Sequence, residues 1–481
     1  MSAKISLLLL VGLLATSPTF AEEPDLPAGL EVPKHVVADE PGLPSGLDLE
    51  TSAPKEEPLL PEGITDPNIA DEVFDDAFSQ PAYNFAGFWE ARLGQRSQGD
   101  AYERDTSLLE SRVQLEFETY LNKAVFKLTT DLVYDNVADT HGVDLNSGRG
   151  WVDLREAYIS SPLTESIDIK AGRQILTWGT GDLLFINDLF PKDWNSFFAG
   201  RDVEYLKAPS DAVKLAFYSE LANLDVMYAP EFDADRFIDG RRLSYYAAAL
   251  GRNAGRDAIV RPIHPDDVFS DDELALRLYR NIAAFETAVY LYRGYWKSPA
   301  GMDAISGRAI FPDLSVYGAS LRGPVFKGIA NTEIGYYDSR DDDNGTNPLI
   351  NNSEFRFLIG YEQEIKQDLT AGFQYYLEHL IDYDNYRATL PAGSPARDEN
   401  RHLLTLRLTL LTNNQNINWS LFAYYSPSDD DYYLRPHVLY KLDDHWSVEA
   451  GGNLFGGDDT HSFFGQFEDN TNLYGSVRYY F

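Results

Sequence analysis

A strict two-residue alternation limits what this chain can become. Between 113 and 121 the odd positions Val113, Leu115, Phe117 and Leu121 are apolar with Thr119 among them, whereas Arg112, Gln114, Glu116 and Glu118 are polar. Successive strand side chains point to opposite faces, so the segment is a ribbon with one greasy side and one wet side. The pattern returns in Phe126, Leu128, Thr130, Leu132 and Tyr134 against Lys127, Thr129 and Asp131, in Phe355 to Tyr361 against Glu354, Arg356 and Glu362, and in His402 to Leu410 against Thr405, Arg407 and Thr409. A soluble sandwich also alternates, but its connections are of similar length at both ends. Here short turns around Asn122-Lys123, Pro162 to Glu165, Glu220 to Asn223, Arg280-Asn281, Gly323 to Gly328, Lys366 to Asp368, Thr412 to Asn416 and Asp443-Asp444 alternate with long polar segments such as 176–211, 229–272, 338–352 and 379–400. Short turns on one side and long loops on the other belong to a barrel that crosses an outer membrane.

The expected fold is therefore all-β: a transmembrane antiparallel up-and-down β-barrel over residues 81–481, with both termini periplasmic. The eight short turns, a first strand at 83–93 and a last at 472–481 give about 18 strands, with 16 as the alternative because the strand around 313–322 is weakly patterned. Closure follows from the solvent, since every backbone group must be paired within lipid. A mean hydropathy of −0.33 reads as soluble only because averaging cancels a period-two pattern. The formal net charge of −36 excludes nucleic acid as a partner, which would need a basic stripe. With no cysteine, disulfides, thiolate metal sites and cysteine nucleophiles are excluded as well.

The N-terminal segment has its own logic. Lys4, the apolar stretch Ile5 to Ala15 and Thr19-Phe20-Ala21 read as a signal peptide over 1–21, too short to span a bilayer. Residues 22–80 hold nine prolines and sixteen acids against two lysines, the composition of an extended linker. Within it Leu26-Pro27-Ala28-Gly29-Leu30, Leu43-Pro44-Ser45-Gly46-Leu47 and Leu60-Pro61-Glu62-Gly63-Ile64 recur at intervals of seventeen. They read either as a duplicated linker or as docking turns for a periplasmic partner. Asp66-Pro67 with Ile69, Val73, Phe74, Ala77 and Phe78 marks a short amphipathic helix. At the other end Leu473, Gly475, Val477, Tyr479 and terminal Phe481 form an outward row that resembles the strand read by the barrel assembly machinery, so Val477, Tyr479 and Phe481 are the expected insertion signal.

A resemblance enters at 154–194. Leu154-Arg155-Glu156-Ala157-Tyr158, then Asp168-Ile169-Lys170-Ala171-Gly172-Arg173-Gln174, Trp178-Gly179 and Asp188-Leu189-Phe190-Pro191 resemble a block shared by a family of porin-like proteobacterial barrels. More distantly the Gly-Arg-Gln step is similar to that of the alginate-export barrel. The resemblance implies a passive channel whose loop after Gly172-Arg173-Gln174 folds inward. The alginate exporter needs a strongly basic pore, and this acidic chain departs from that.

The residues support an inward loop independently. Strand parity puts Asp168, Lys170 and Gln174 toward the lumen and Arg173 toward lipid, where a charge is costly unless it sits at headgroup level or the chain bends inward. Glycines at 179 and 181 permit a bend, and Leu183 to Leu189 is too apolar for an exposed loop. The expected constriction loop is Arg173, Gln174, Trp178, Asp182, Asp188 and Asp193, with a surface flap as the alternative. The expected lumen lining is Arg112, Glu116, Lys127, Asp131, Arg155, Lys170, Arg356, Arg407, Glu449 and Arg478. Acidic loops at 338–343, 429–431 and 458–459 should draw cations to the entrance.

The eight histidines are scattered without metal-ligand spacing and no serine nucleophile motif occurs, so neither a metal, a cofactor nor an enzymatic activity is expected. The function expected is an outer-membrane channel for passive diffusion of small hydrophilic solutes, in contact with lipid and lipopolysaccharide. The alternatives are the outer-membrane part of a partnered system moving hydrophobic or polymeric cargo, and a surface anchor or adhesin using the acidic loops.

Overall fold

The computed structural model describes residues 83–137, 142–391 and 394–481. The expected signal peptide, acidic linker, Leu-Pro repeats and helix at 66–78 lie outside the described residues. Eighteen strands form one closed antiparallel sheet. In chain order they are β1 (Tyr83–Arg96), β2 (Thr106–Leu121), β3 (Ala124–Asp135), β4 (Val152–Thr164), β5 (Ile167–Ile175), β6 (Pro209–Phe217), β7 (Asn223–Ala229), β8 (Glu273–Ile282) and β9 (Phe285–Tyr295), followed by β10 (Asp313–Val325), β11 (Gly328–Ser339), β12 (Glu354–Lys366), β13 (Leu369–Leu380), β14 (Asn400–Thr412), β15 (Ile417–Ser426), β16 (Asp431–Lys441), β17 (Trp446–Gly457) and β18 (Asn472–Tyr480). Each strand pairs with its neighbours in sequence, and β18 returns onto β1 from Phe88↔Tyr480 to Arg96↔Asn472. No helix among the described residues is long and apolar enough to cross a membrane.

The strand that left 16 open is β10, a full 13 residues. Its alternation is faint because its inward Leu314 and Val316 are apolar and buried, while outward Ser315 and Ala319 are small. The β8–β9 hairpin turns at 283–284 rather than at Arg280-Asn281, which still pair with Thr287 and Glu286. The β4–β5 hairpin turns at 165–166, after Pro162 and Thr164 have paired with Asp168 and Ile167, and the other six short turns overlap the expected positions. Asn122 takes a positive φ of 58° in the turn before β3, a conformation asparagine tolerates. At the opposite end the connections are long except for 427–430. The first and last described residues both lie at the short-turn end, since Tyr83 pairs with Thr119 and the Tyr480 amide donates to the His445 carbonyl at 2.8 Å.

The outward rows are those the alternation gives. Trp89, Leu132, Ile159, Val289, Ile334, Phe373 and Val477 are all exposed on the wall. A closed hydrogen-bond ladder under an apolar outer surface is the solution lipid demands, and the chain is a transmembrane barrel of an outer membrane. Terminal Phe481 fastens the seam: it exchanges backbone hydrogen bonds of 3.0 and 3.1 Å with Gly87. A Cβ at Gly87 would sit 3.0 Å from the Phe481 ring, so the ring covers the bare backbone of that glycine.

Candidate functional site

The inner wall divides into two arcs. Along β18 and β1 to β5 many of the inward positions are charged. Arg92 bridges Glu90 at 2.9 Å and Glu449 at 2.6 Å. Arg112 is paired with Asp131, whose other oxygen accepts from Gln114 at 3.0 Å. Lys127 lies 3.1 Å from Glu156, and Lys170 4.0 Å from the same carboxylate with its ammonium 3.8 Å from the Tyr158 ring centre. Arg478 meets Glu90 at 3.1 Å and Asp202 at 3.4 Å. Glu116 is half-buried in the same inward row, opposite Thr129.

From β6 to β17 a band of aromatic side chains joins the inward row, between charges paired as in Lys214 with Asp225 and Arg356 with Glu354. Tyr290, Tyr292, Tyr337, Tyr376, Phe422, Tyr424, Tyr433 and Phe455 are each 5% exposed or less. What they bury is the connection 176–208, in which Leu183, Leu184, Phe185, Ile186, Trp194, Phe197 and Phe198 are all at or below 1%. Phe198 packs edge-on to Tyr433 and Phe455 at 5.3 and 5.4 Å between ring centres, a spacing favourable to aromatic pairs. Burial of this much apolar surface holds a loop that has little regular structure of its own.

Polar side chains from around the wall fix the loop's path. Tyr424 and Tyr337 donate to the carbonyls of Leu183 and Ile186 at 3.1 and 2.5 Å. Arg435 and Arg92 donate to those of Arg201 and Gly200 at 2.7 and 2.6 Å. Glu333 on β11 is the tightest of these anchors. Its buried carboxylate accepts from the amides of Thr180, Gly181 (2.8 Å) and Asn187 (3.2 Å) and from the Asn187 side chain (2.8 Å). Gly179, with φ of 86°, makes the turn that aims two of these amides at it.

Each residue expected in this loop has a definite place. Asp182 forms a two-pronged pair with Arg407, at 2.8 Å for one arm. Trp178 is buried edge-on to Phe190, 4.9 Å between centres. Asp188 accepts from Thr177 at 2.7 Å and from Lys192 at 3.0 Å. Burial pulls the Lys192 ammonium below its usual range, against the pull of Asp188. Asp193 caps the short helix α1 (Trp194–Ala199) by accepting from the Ser196 amide at 2.7 Å. Gln174 is fully buried and donates to the Ala212 carbonyl at 2.8 Å.

Arg173 is the exception. It does not join the loop but stays on the outward row of β5, where Asp211 opposite it on β6 takes both arms at 2.9 and 2.6 Å and the Leu145 carbonyl accepts at 2.7 Å. Lying two residues from the strand end, it is neutralised by a cross-strand partner rather than drawn inward. The acidic loops are also less free than their sequence suggests. Asp342 is buried and accepts from the amides of Thr346 and Asn347, Asp429 is paired with Arg401, and Asp431 is buried and accepts from the Phe464 amide at 2.6 Å.

Between the charged arc and the long connections lies a cavity of about 510 Å³ whose lining includes Arg112, Arg149, Asp153, Arg201, Tyr205 and Asp233. Most of its arginines are paired: Arg201 with Glu110 at 2.7 Å and Arg236 with Asp153 at 2.8 Å. Asp233 is pushed up to about 6 by burial first and by the nearby Glu273 second. No group of three or more His, Asp or Glu able to hold a metal ion occurs among the described residues.

Solved structures of outer-membrane channels align with this chain at low similarity. OccD3 (OpdP) of Pseudomonas aeruginosa aligns at 8% identity with a TM-score of 0.48, over 83% of this chain and 91% of its own. OprB of Pseudomonas putida aligns at 10% identity and 0.41, over 86% and 96%. A porin of Rh. blastica aligns at 10% and 0.36, over 83% and 100%. No family model matches the sequence, and no curated protein matches it either.

Sequence reasoning missed Glu333, Tyr205 and the aromatic arc. A signal was present. Leu403-Leu404 and Phe422-Ala423-Tyr424-Tyr425 are apolar at both parities, and a strand greasy on both faces is buried on both. What buries the second face is an inward chain segment.

Proposed function

We propose that this barrel is a passive channel for small hydrophilic solutes, with the 176–208 connection as its constriction. The observation that carries the reading is the uneven inner wall, with a row of paired charges on one side of the loop and an aromatic band packed against its apolar run on the other. An eighteen-strand barrel without such a filling would leave a wide aqueous lumen. By the usual arrangement of such barrels the short turns and both chain ends face the periplasm, and the wall meets lipid and lipopolysaccharide. Terminal Phe481, Tyr479 and Val477 present the insertion signal to the assembly machinery. The protein acts without catalysis.

Purified protein reconstituted in planar bilayers should give discrete conductance steps well below those of a barrel of this width with an unobstructed lumen. The buried apolar segment also favours a second reading, a sealed barrel serving as a surface anchor. Absence of any step from folded, heat-modifiable protein would select the anchor and refute the channel.

A further inference from the structure

We infer that solutes cross along the charged arc, through the 510 Å³ cavity, and that Tyr205 is the partition they must pass. This rests on the channel reading and adds to it where the path runs and which residue sets its width. Tyr205 lies in the last third of the inward connection, on a single 3-10 turn (Val203–Leu206), and is 2% exposed. One side of it lines the cavity. On the other side the preceding residue, Glu204, is exposed, and the Asp202 side chain that pairs with Arg478 retains 39% exposure. Solvent-accessible side chains therefore lie beside the ring along its own turn as well as in the cavity it lines.

The ring is held by polar groups. The Arg112 guanidinium carbon stands 4.3 Å from the ring centre and that of Arg155 4.4 Å. Gln114 donates to the phenol oxygen at 3.0 Å, and Arg155 donates to the carbonyls of Glu204 and Lys207, both at 3.1 Å. Two cations flanking one ring form a clasp whose parts are all hydrated readily when the ring moves. Moving Phe198 or Tyr424 instead would expose apolar surface to water, which is costly per unit area. The least expensive opening across the barrel is therefore at Tyr205, and the side chains it uncovers there are Arg112, Arg155 and Gln114.

The test compares full-length wild type, Tyr205→Ala, Tyr205→Phe and Tyr424→Ala in planar bilayers, each first checked for heat-modifiable migration. Tyr205→Ala should raise unit conductance at least about twofold and admit larger neutral solutes in liposome swelling, since it removes the narrowest wall. Tyr205→Phe keeps the ring and should conduct well below Tyr205→Ala, as should Tyr424→Ala. The chain has no cysteine, so Ser147→Cys places a unique thiol on the cavity lining. A bulky methanethiosulfonate there should cut the current by at least about half, because it stands in the path. This measurement remains decisive if an alanine variant fails to fold. Wild-type conduction with Tyr205→Ala unchanged, with Tyr424→Ala the more conductive, or with modified Ser147→Cys unaffected would overturn this path while leaving the channel intact. Folded protein that never conducts, in wild type and variants alike, would remove the channel reading and this path with it.

Discussion

The two arcs of the inner wall solve one problem in opposite ways. Both must give partners to whatever lies inside the barrel. From β6 to β17 the partner is the chain itself: Leu183 to Ile186 and the α1 aromatics press against Leu358, Tyr376, Tyr424, Tyr433 and Phe455, all buried. Along β18 and β1 to β5 the partners include charges on neighbouring strands, as in Arg112 with Asp131 and Lys127 with Glu156. Apolar packing excludes water without direction, whereas paired charges tolerate water beside them. The proposed permeation path follows the arc whose paired charges lose least on meeting water. The aromatic arc carries charges as well: some are buried in pairs on their own wall, such as Arg356 with Glu354 at 2.6 Å, and others, such as Arg407 and Glu333, grip the loop.

The comparison breaks most readily by removing what one arc grips. Replacing Gly181 to Phe190 with a short glycine-serine link should raise conductance at least about threefold, because the apolar seal would have nothing left to seal. Unchanged conductance would show that this run does not obstruct the lumen. Phe198→Ala should come next, costing about 3–5 kcal/mol as expected for a buried aromatic whose neighbours cannot collapse, read from the melting of the heat-modifiable form. A change of a few tenths would mean the aromatic arc is loosely packed.

Glu333→Gln sharpens the comparison with a smaller effect. The amide keeps one acceptor but turns its NH2 toward loop amides that also donate, so roughly 1–3 kcal/mol of anchoring should be lost. The expected sign is increased open-channel noise with the mean conductance little altered. Glu333→Asp, which keeps the charge on a shorter arm, should recover part of the quiet state. If neither variant changes the noise, Glu333 does not restrain the loop.

The barrel was legible in the sequence because its determinants are local. Two-residue alternation sets strand parity, and short polar turns set the hairpins. Parity puts Arg112, Lys127 and Lys170 beside the carboxylates of Asp131 and Glu156, and Asp182 meets Arg407 of β14. Arg173 shows where local rules stop. Parity placed it outward correctly, but its partner Asp211 is 38 residues away and the covering carbonyl belongs to Leu145, so sequence position alone did not reveal how the charge is balanced. The acidic loops misled for a related reason. A run such as Asp341-Asp342-Asp343 counts as surface charge until Asp342 is seen to hold the amides of Thr346 and Asn347. Tyr205 and Glu333 carried no pattern at all, since their roles come from segments brought together only when the barrel closes.

The most direct measurement of the two-arc account is thiol accessibility in the folded, reconstituted protein. Single cysteines at Ser147 and Gln114 on the charged side, and at Leu358 and Tyr424 on the aromatic side, would be exposed in turn to a small water-soluble maleimide. The account predicts rapid labelling at 147, slower labelling at 114 behind the Tyr205 clasp, and no labelling at 358 or 424 until the barrel is melted. Labelling at 358 or 424 as fast as at 147 would show that water fills both sides alike, and the division of the inner wall would be wrong.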